Sequence, residues 1–253
     1  MYDKLSQIWG TKWLLRIYSW LKIRVRFIVG FFIYQAKSHR NPRQTSMGLG
    51  SYKIKPVFKD ATTNTFFDSH YVYHTAWAAR VLKEKKIKHH IDIGSHHYFA
   101  ALVSAFIPLD FYDYRPLSID VSGLSCRKAD LTQLDFTDNS IYSLSCMHVV
   151  EHIGLGRYGD PIDPNSDIKA MIELSRVVEP GGHLLFVVPV GKPKLCFNAH
   201  RIYNPTDIIN IFNNFKLLEF AVVTDKKEFI RFSNPEFYKM ETYACGMYHF
   251  QKT

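Results

Sequence analysis

The sequence predicts an α/β fold: a doubly wound, mostly parallel sheet with helices on both faces, preceded by a basic helical arm. Three observations carry this expectation. From about residue 66 onward, strand-like apolar runs alternate with amphipathic helical stretches, the order that parallel strands and right-handed crossovers require. The run His183 to Val190, HLLFVVPV, is nearly all apolar, as a central strand covered on both faces must be. The charge is also lopsided. Up to Asp60 there are twelve basic residues against two acidic ones, and beyond it twenty against twenty-one, so the formal +9 of the 253-residue chain belongs to its N-terminal part.

The arm and connector are placed at 1–65 and the α/β domain at 66–253. Trp13 to Tyr34 mixes large apolar with basic residues, and Lys12 with Arg16 and Lys22 with Arg26 are spaced for one side of a helix. Residues 38–65 are rich in Ser, Thr, Gly, Pro and Lys and read as an irregular connector. Tyr71 to Lys86 is a helix that covers a sheet with Ala76, Ala79, Val81 and Leu82. Strands follow at His90 to Ile93, near Leu109 to Tyr112, at Leu124 to Ala129 and at Ile141 to Met147, with a helix over Tyr98 to Phe106 after the first. Asp167 to Val178 has a broad apolar stripe and reads as a helix stopped by Glu179-Pro180-Gly181-Gly182. Asn204 to Asn213 is a further helix, and Lys216 to Thr224 and Thr242 to Gln251 are the last strands.

Four cysteines without a CxxC point to a reducing compartment, neither a zinc ribbon nor a disulfide framework. The N-terminus lacks the order of a signal peptide, and its longest uncharged run, Phe27 to Ala36, is too short to span a bilayer. The expectation is a cytoplasmic chain.

In HIDIGSHHYF, residues 90–99, a strand ends in an acid and a glycine; FYDYRP, KADLTQL, SCMHVVEHIG and EPGG before an apolar strand follow in order. Together these resemble the class I S-adenosylmethionine-dependent methyltransferases. Within that superfamily they are most similar to a worm family of unknown function with the same HIDIGS and SCMHVVEHIG stretches. The resemblance covers roughly Tyr71 to Lys252 and implies a seven-stranded, Rossmann-like sheet and S-adenosylmethionine as cofactor. It assigns the cofactor turn to Asp92, Gly94 and Ser95, the ribose to Asp113, the adenine to Asp130 and Leu131, and the methionine portion to the segment with Met147. Where the family has a second glycine, Ser95, His96 and His97 stand instead.

His148 is the expected general base, since a histidine beside an acceptor hydroxyl titrates near neutral pH. His152 is the lesser choice. HVVEH also matches an inverted zincin pattern, but that needs both histidines on one helix and a third ligand, so no metal is expected. The glycine-rich loop 153–167 carries Arg157 and Tyr158, and FNAHRIYNP carries His200 and Arg201; these four are the substrate-binding candidates. Cys146 reads as packed. The expected partner is a small-molecule acceptor with a hydroxyl. A fold relative without catalysis, serving as a binding or scaffolding protein, is the alternative; the missing GxGxxG argues against nicotinamide chemistry. Residues 12–37 are expected to dock on an anionic cytosolic membrane face, with aromatic residues in the interface and Lys or Arg at headgroups. Nucleic acid is the weaker partner, because the nearly neutral body offers no basic track.

Overall fold

The computed structural model describes residues 2–38, 53–58 and 60–253. The chain divides into two compact units, 1–66 and 67–253. Among the described residues of the first unit a helix, α1, runs Tyr2–Ser38, with side chains described from Trp13. The Arg24 guanidinium lies 3.4 Å from the Trp20 ring centroid, and Phe27 meets Phe58 edge-on at 5.7 Å. The side chain of Lys12, expected on the basic side of the arm, lies outside the described residues, as do 39–52 and 59 of the expected connector. The rest of the connector, 53–58 and 60–65, has neither helix nor strand. Among the described residues no helix is long and apolar enough to cross a membrane.

The second unit is a mixed α/β sheet. Its helices are α2 (Ser69–Glu84), α3 (His97–Val103), α4 (Ser166–Val177) and α5 (Pro205–Ile211). Its strands begin with β1 (His90–Ile93), β2 (Leu109–Asp113), β3 (Leu124–Lys128), β4 (Ile141–Met147) and β5 (Val178–Val190). They continue with β6 (Lys194–Cys196), β7 (His200–Ile202), β8 (Phe215–Val223), β9 (Phe229–Ile230) and β10 (Ala244–Lys252). The main sheet has the order β3-β2-β1-β4-β5-β10-β8-β9, and β6 pairs with β7 apart from it. The first five strands are parallel; β10 lies antiparallel between β5 and β8.

This corrects the expected seven strands to eight among the described residues. The eighth is the two-residue β9, which folds back on the end of β8 and is too short to show an alternating pattern. The β6–β7 hairpin was also not foreseen, because its three-residue strands are half-exposed and carry Lys, Cys, His and Arg.

Two apolar layers flank the sheet. On one side α2 and α3 bury Trp77, Val81, Leu82, Phe99 and Val103 against Phe111, Met147, Leu185 and Val187. On the other, α4 and α5 bury Met171, Leu174 and Ile208 against Leu144, Leu184, Phe186 and Val188. Successive residues of β5 thus serve opposite layers, which is why its sequence shows no polar alternation. In α2 the covering face is built on Trp77 and Ala78 where Ala76 and Ala79 were expected; the latter two are only half-buried. The EPGG stop is absorbed into β5. Ile141 pairs with Val178 and Ser143 with His183, so Glu179 to Gly182 bulge out of the ladder. Gly182 permits this, since a Cβ there would stand 2.8 Å from the Glu179 carbonyl oxygen.

Candidate active site

The carboxyl ends of the parallel strands enclose a cavity of about 400 Å³, where ligands of open α/β sheets bind. Gly94 follows β1 and lines it. Its φ of +70° suits glycine, and a Cβ would lie 3.0 Å from Val149 Cγ1, so any larger residue would crowd that wall. Asp113 ends β2 on the wall, with Oδ1 accepting from the Arg115 amide at 2.7 Å. Asp130 and Leu131, just past β3, also line the cavity; Asp130 Oδ1 accepts from the Thr132 amide at 2.9 Å and its hydroxyl at 2.7 Å. Each carboxylate is thereby fixed through Oδ1, with Oδ2 left for a ligand.

Asp92, Ser95 and Met147 lie behind the wall. Asp92 is fully buried: its Oδ1 accepts from the Ser95 amide at 3.1 Å, and the Ser145 hydroxyl donates to Oδ2. Burial pushes this carboxyl up to about 6, against the pull of the serine bonds. Ser95 Oγ accepts from the Met147 amide at 3.1 Å, which ties the turn after β1 to the end of β4. Met147 packs in the α2–α3 layer, off the cavity wall. Asp92 and Ser95 support the turn after β1 from behind the wall. His96 and His97 leave the cavity open: His96 caps α3, its Nδ1 accepting from the Tyr98 amide at 3.3 Å, and His97 stacks on it at the surface.

His148 lines the cavity in left-handed conformation, φ +57°. Its Nδ1 is 2.7 Å from Glu151 Oε1 and its Nε2 3.3 Å from Cys245 Sγ, so neither nitrogen is free for an acceptor hydroxyl. Burial alone would lower its pKa, but Cys245 and Glu151 outweigh it and hold the imidazole well above its usual range, while Glu151 is correspondingly lowered. HVVEH does not form the helix that a zincin needs. Val150–His152 is a short 3-10 turn, and His152 is on the cavity wall with Nδ1 2.6 Å from the Ala199 carbonyl and Nε2 3.7 Å from Glu151 Oε1.

Of the four substrate candidates, Tyr158 is on the wall, with the Arg115 and Arg157 guanidinium carbons 4.4 and 5.1 Å from its ring centroid. The other three lie off it. Arg157 donates to the Ala199 carbonyl at 2.9 Å, and His200 packs on Tyr243 at 4.9 Å between centroids. Arg201 donates to the Ile153 carbonyl at 2.7 Å and pairs with Asp167 at 3.4 Å. Arg157 thus ties the glycine-rich loop to Ala199 from within, and Arg201 braces it from outside. Within the loop, the Asp160 carboxylate accepts from the amides of Gly154 at 2.7 Å and Tyr158 at 3.0 Å. Sequence reasoning missed Arg115, Asp160 and Lys169 as wall residues. Arg115 follows Asp113 by two residues in FYDYRP and was within reach of the motif; Lys169, in the first turn of α4, carried no signal.

Residues 125–243, just under half of the chain, are similar to the family described as Caenorhabditis protein of unknown function. No curated protein matches. Among solved structures, the N-methyltransferase NodS from Bradyrhizobium japonicum WM9, in complex with S-adenosyl-L-homocysteine, is 16% identical, with a TM-score of 0.50 over 72% of this chain and 86% of that one. The [4+2]-cyclase SpnF is 12% identical, with a TM-score of 0.51 over 71% of this chain and 81% of that one. These likenesses show a shared fold.

Proposed function

We propose that the protein transfers a methyl group from S-adenosylmethionine to a hydroxyl of a small or sugar-like acceptor. The observation that carries this reading is the open cavity at the strand ends, with Gly94 and the carboxylates of Asp113 and Asp130 on its wall. Its volume is in the range of small-ligand sites. The side chains suit the cofactor: Asp113 would accept from the ribose hydroxyls, Asp130 and the Leu131 amide would meet the adenine edge, and Gly94 leaves room for close backbone approach. When bound, S-adenosylmethionine supplies an electrophilic methyl group on a sulfonium.

The protein's own part is to orient the acceptor and take its proton. Tyr158 and Lys169, on the same wall, would position a polar acceptor. His148 has both nitrogens engaged, so the proton goes to His152, whose Nδ1 is held by the Ala199 carbonyl and whose Nε2 has no bond within hydrogen-bonding distance. The fold alone does not choose the reaction, since one structural likeness is a cyclase. A binding protein without turnover is the second reading, favoured by the engagement of His148.

Calorimetry with S-adenosylmethionine and S-adenosylhomocysteine tests the first step. Both are expected to bind, and Asp113→Ala should weaken them by about 10- to 100-fold, the worth of hydrogen bonds to a charged group. Absence of heat with either at millimolar concentration would remove the cofactor, and the methyl-transfer reading with it. Binding without methyl loss across a panel of hydroxyl acceptors would favour the second reading.

A further inference from the structure

We infer a binding site for a borderline-soft divalent cation, zinc first, made by His70, His148 and Cys245, with Glu151 orienting His148. One ligand atom from each of the three lies within 4.8 Å of the others. They come from the first turn of α2, the residue after β4 and the start of β10, and the fold alone brings them together.

The chemistry of the donors fits. Glu151 holds Nδ1 of His148 at 2.7 Å and so fixes the tautomer with Nε2 directed at Cys245, 3.3 Å away. A carboxylate behind a histidine is the usual support of a metal-bound imidazole. Tetrahedral zinc with bonds of about 2.1 Å to nitrogen and 2.3 Å to sulfur places such a pair about 3.6 Å apart. The pair is therefore close to the edge of a coordination tetrahedron, and His70, half-buried with its ring stacked 5.7 Å from that of His148, is the third member of the set. One thiolate with two imidazoles is the donor set of a borderline-soft ion. Binding would displace the single proton shared between Cys245 Sγ and His148 Nε2 to solvent and leave the fourth position for water.

A second observation points to the same place. Among the described residues, two buried side-chain N/O atoms lack a hydrogen-bond partner: His74 Nε2 and Glu151 Oε2. Both belong to this cluster. Glu151 is bonded to His148, and the His74 ring lies one helical turn after His70, its centroid 5.1 Å from that of His148. Two orphaned polar groups beside one imidazole mark a cluster whose polar partners are incomplete among the described residues.

The sequence thiol–imidazole–carboxylate in Cys245, His148 and Glu151 would also suit an activated nucleophile. Cys245, however, has no exposed surface and is absent from the cavity wall, so an organic electrophile has no route to sulfur, whereas a bare ion needs far less room. The inference does not depend on the methyl-transfer reading.

The test uses the untagged full chain. Elemental analysis should find one zinc per chain, and the chelator-stripped protein should take one Co²⁺ with a thiolate-to-cobalt charge-transfer band. Cys245→Ser should abolish that band, His70→Ala should weaken Co²⁺ binding at least ~10-fold, and Glu151→Gln should weaken it by about 10- to 100-fold. Cys126→Ser and Cys196→Ser should retain the band. A wild-type chain without the band, a band that survives Cys245→Ser, or undiminished binding by His70→Ala would each overturn the site. Should Cys245→Ser fail to fold, His70→Ala decides, because a half-buried residue in a first helical turn can be truncated without opening the core.

Discussion

Asp92 shows how a residue's type can be legible in the sequence while its partners are not. The stretch HIDIG announced a strand ending in an acid and a glycine turn, and both are there; the carboxylate turns inward, to Ser95 and Ser145, and not to the cavity. Its folded pKa of about 6 exceeds the ordinary 3.8. Between those values the unfolded chain gives up the proton that the folded chain retains, so stability falls as pH rises from about 4 to about 6, by roughly 3 kcal/mol at most. His90, buried and held neutral down to about 3, has the opposite sign: its contribution is lost as pH falls below about 6.5. The Asp92 effect is therefore read against a variant. Asp92→Asn should gain on the wild type across the pH 4 to 6 window and be level beyond it, as measured by urea midpoints; a difference independent of pH would contradict the assignment.

At the scale of elements, α2 illustrates what sequence patterns resolve. Its existence and length follow from strong helix formers over Tyr71 to Lys86, whereas its start is set by Asp68, whose Oδ1 accepts from the amides of His70 and Tyr71 at 3.0 and 3.2 Å. Asp68→Ala should cost about 1 kcal/mol in chemical denaturation, and Asp68→Ser should recover most of it. The same cap fixes the turn that carries His70. β5 is the complementary case. Pro180-Gly181-Gly182 reads as a break between helix and strand, yet the ladder begins at Val178 because the interruption can bulge outward while Ile141 and Ser143 of β4 keep their partners.

Over the whole molecule the decisive element is the last one. β10 pairs with β5 on one side and β8 on the other, so the C-terminal strand is interior to the sheet. A chain ending before Ala244 leaves both neighbours with unpaired edges and removes Tyr248, Phe250 and Met247 from the two layers. It should lose cooperative thermal unfolding by circular dichroism, whereas a chain beginning at Phe67 should keep a single transition, since 67–253 is compact by itself. A cooperative melt of the C-terminal truncation would contradict this ordering of the sheet.

The sequence by itself determined the α/β class, the order of the body's strands and helices apart from β6, β7 and β9, and the inward-packed β5, while the family resemblance pointed to Gly94, Asp113, Asp130 and Leu131 at the strand ends. Those features are local: periodicity, turn chemistry and the residue that follows a strand are written within a few positions of one another. Tertiary structure alone decided that β10 enters between β5 and β8, that Arg201 braces the glycine-rich loop, and that His70, His148 and Cys245 meet. Each of these joins segments tens of residues apart, and no spacing rule reports such a meeting, because the distances are set by strand register and helix packing and not by the chain between them.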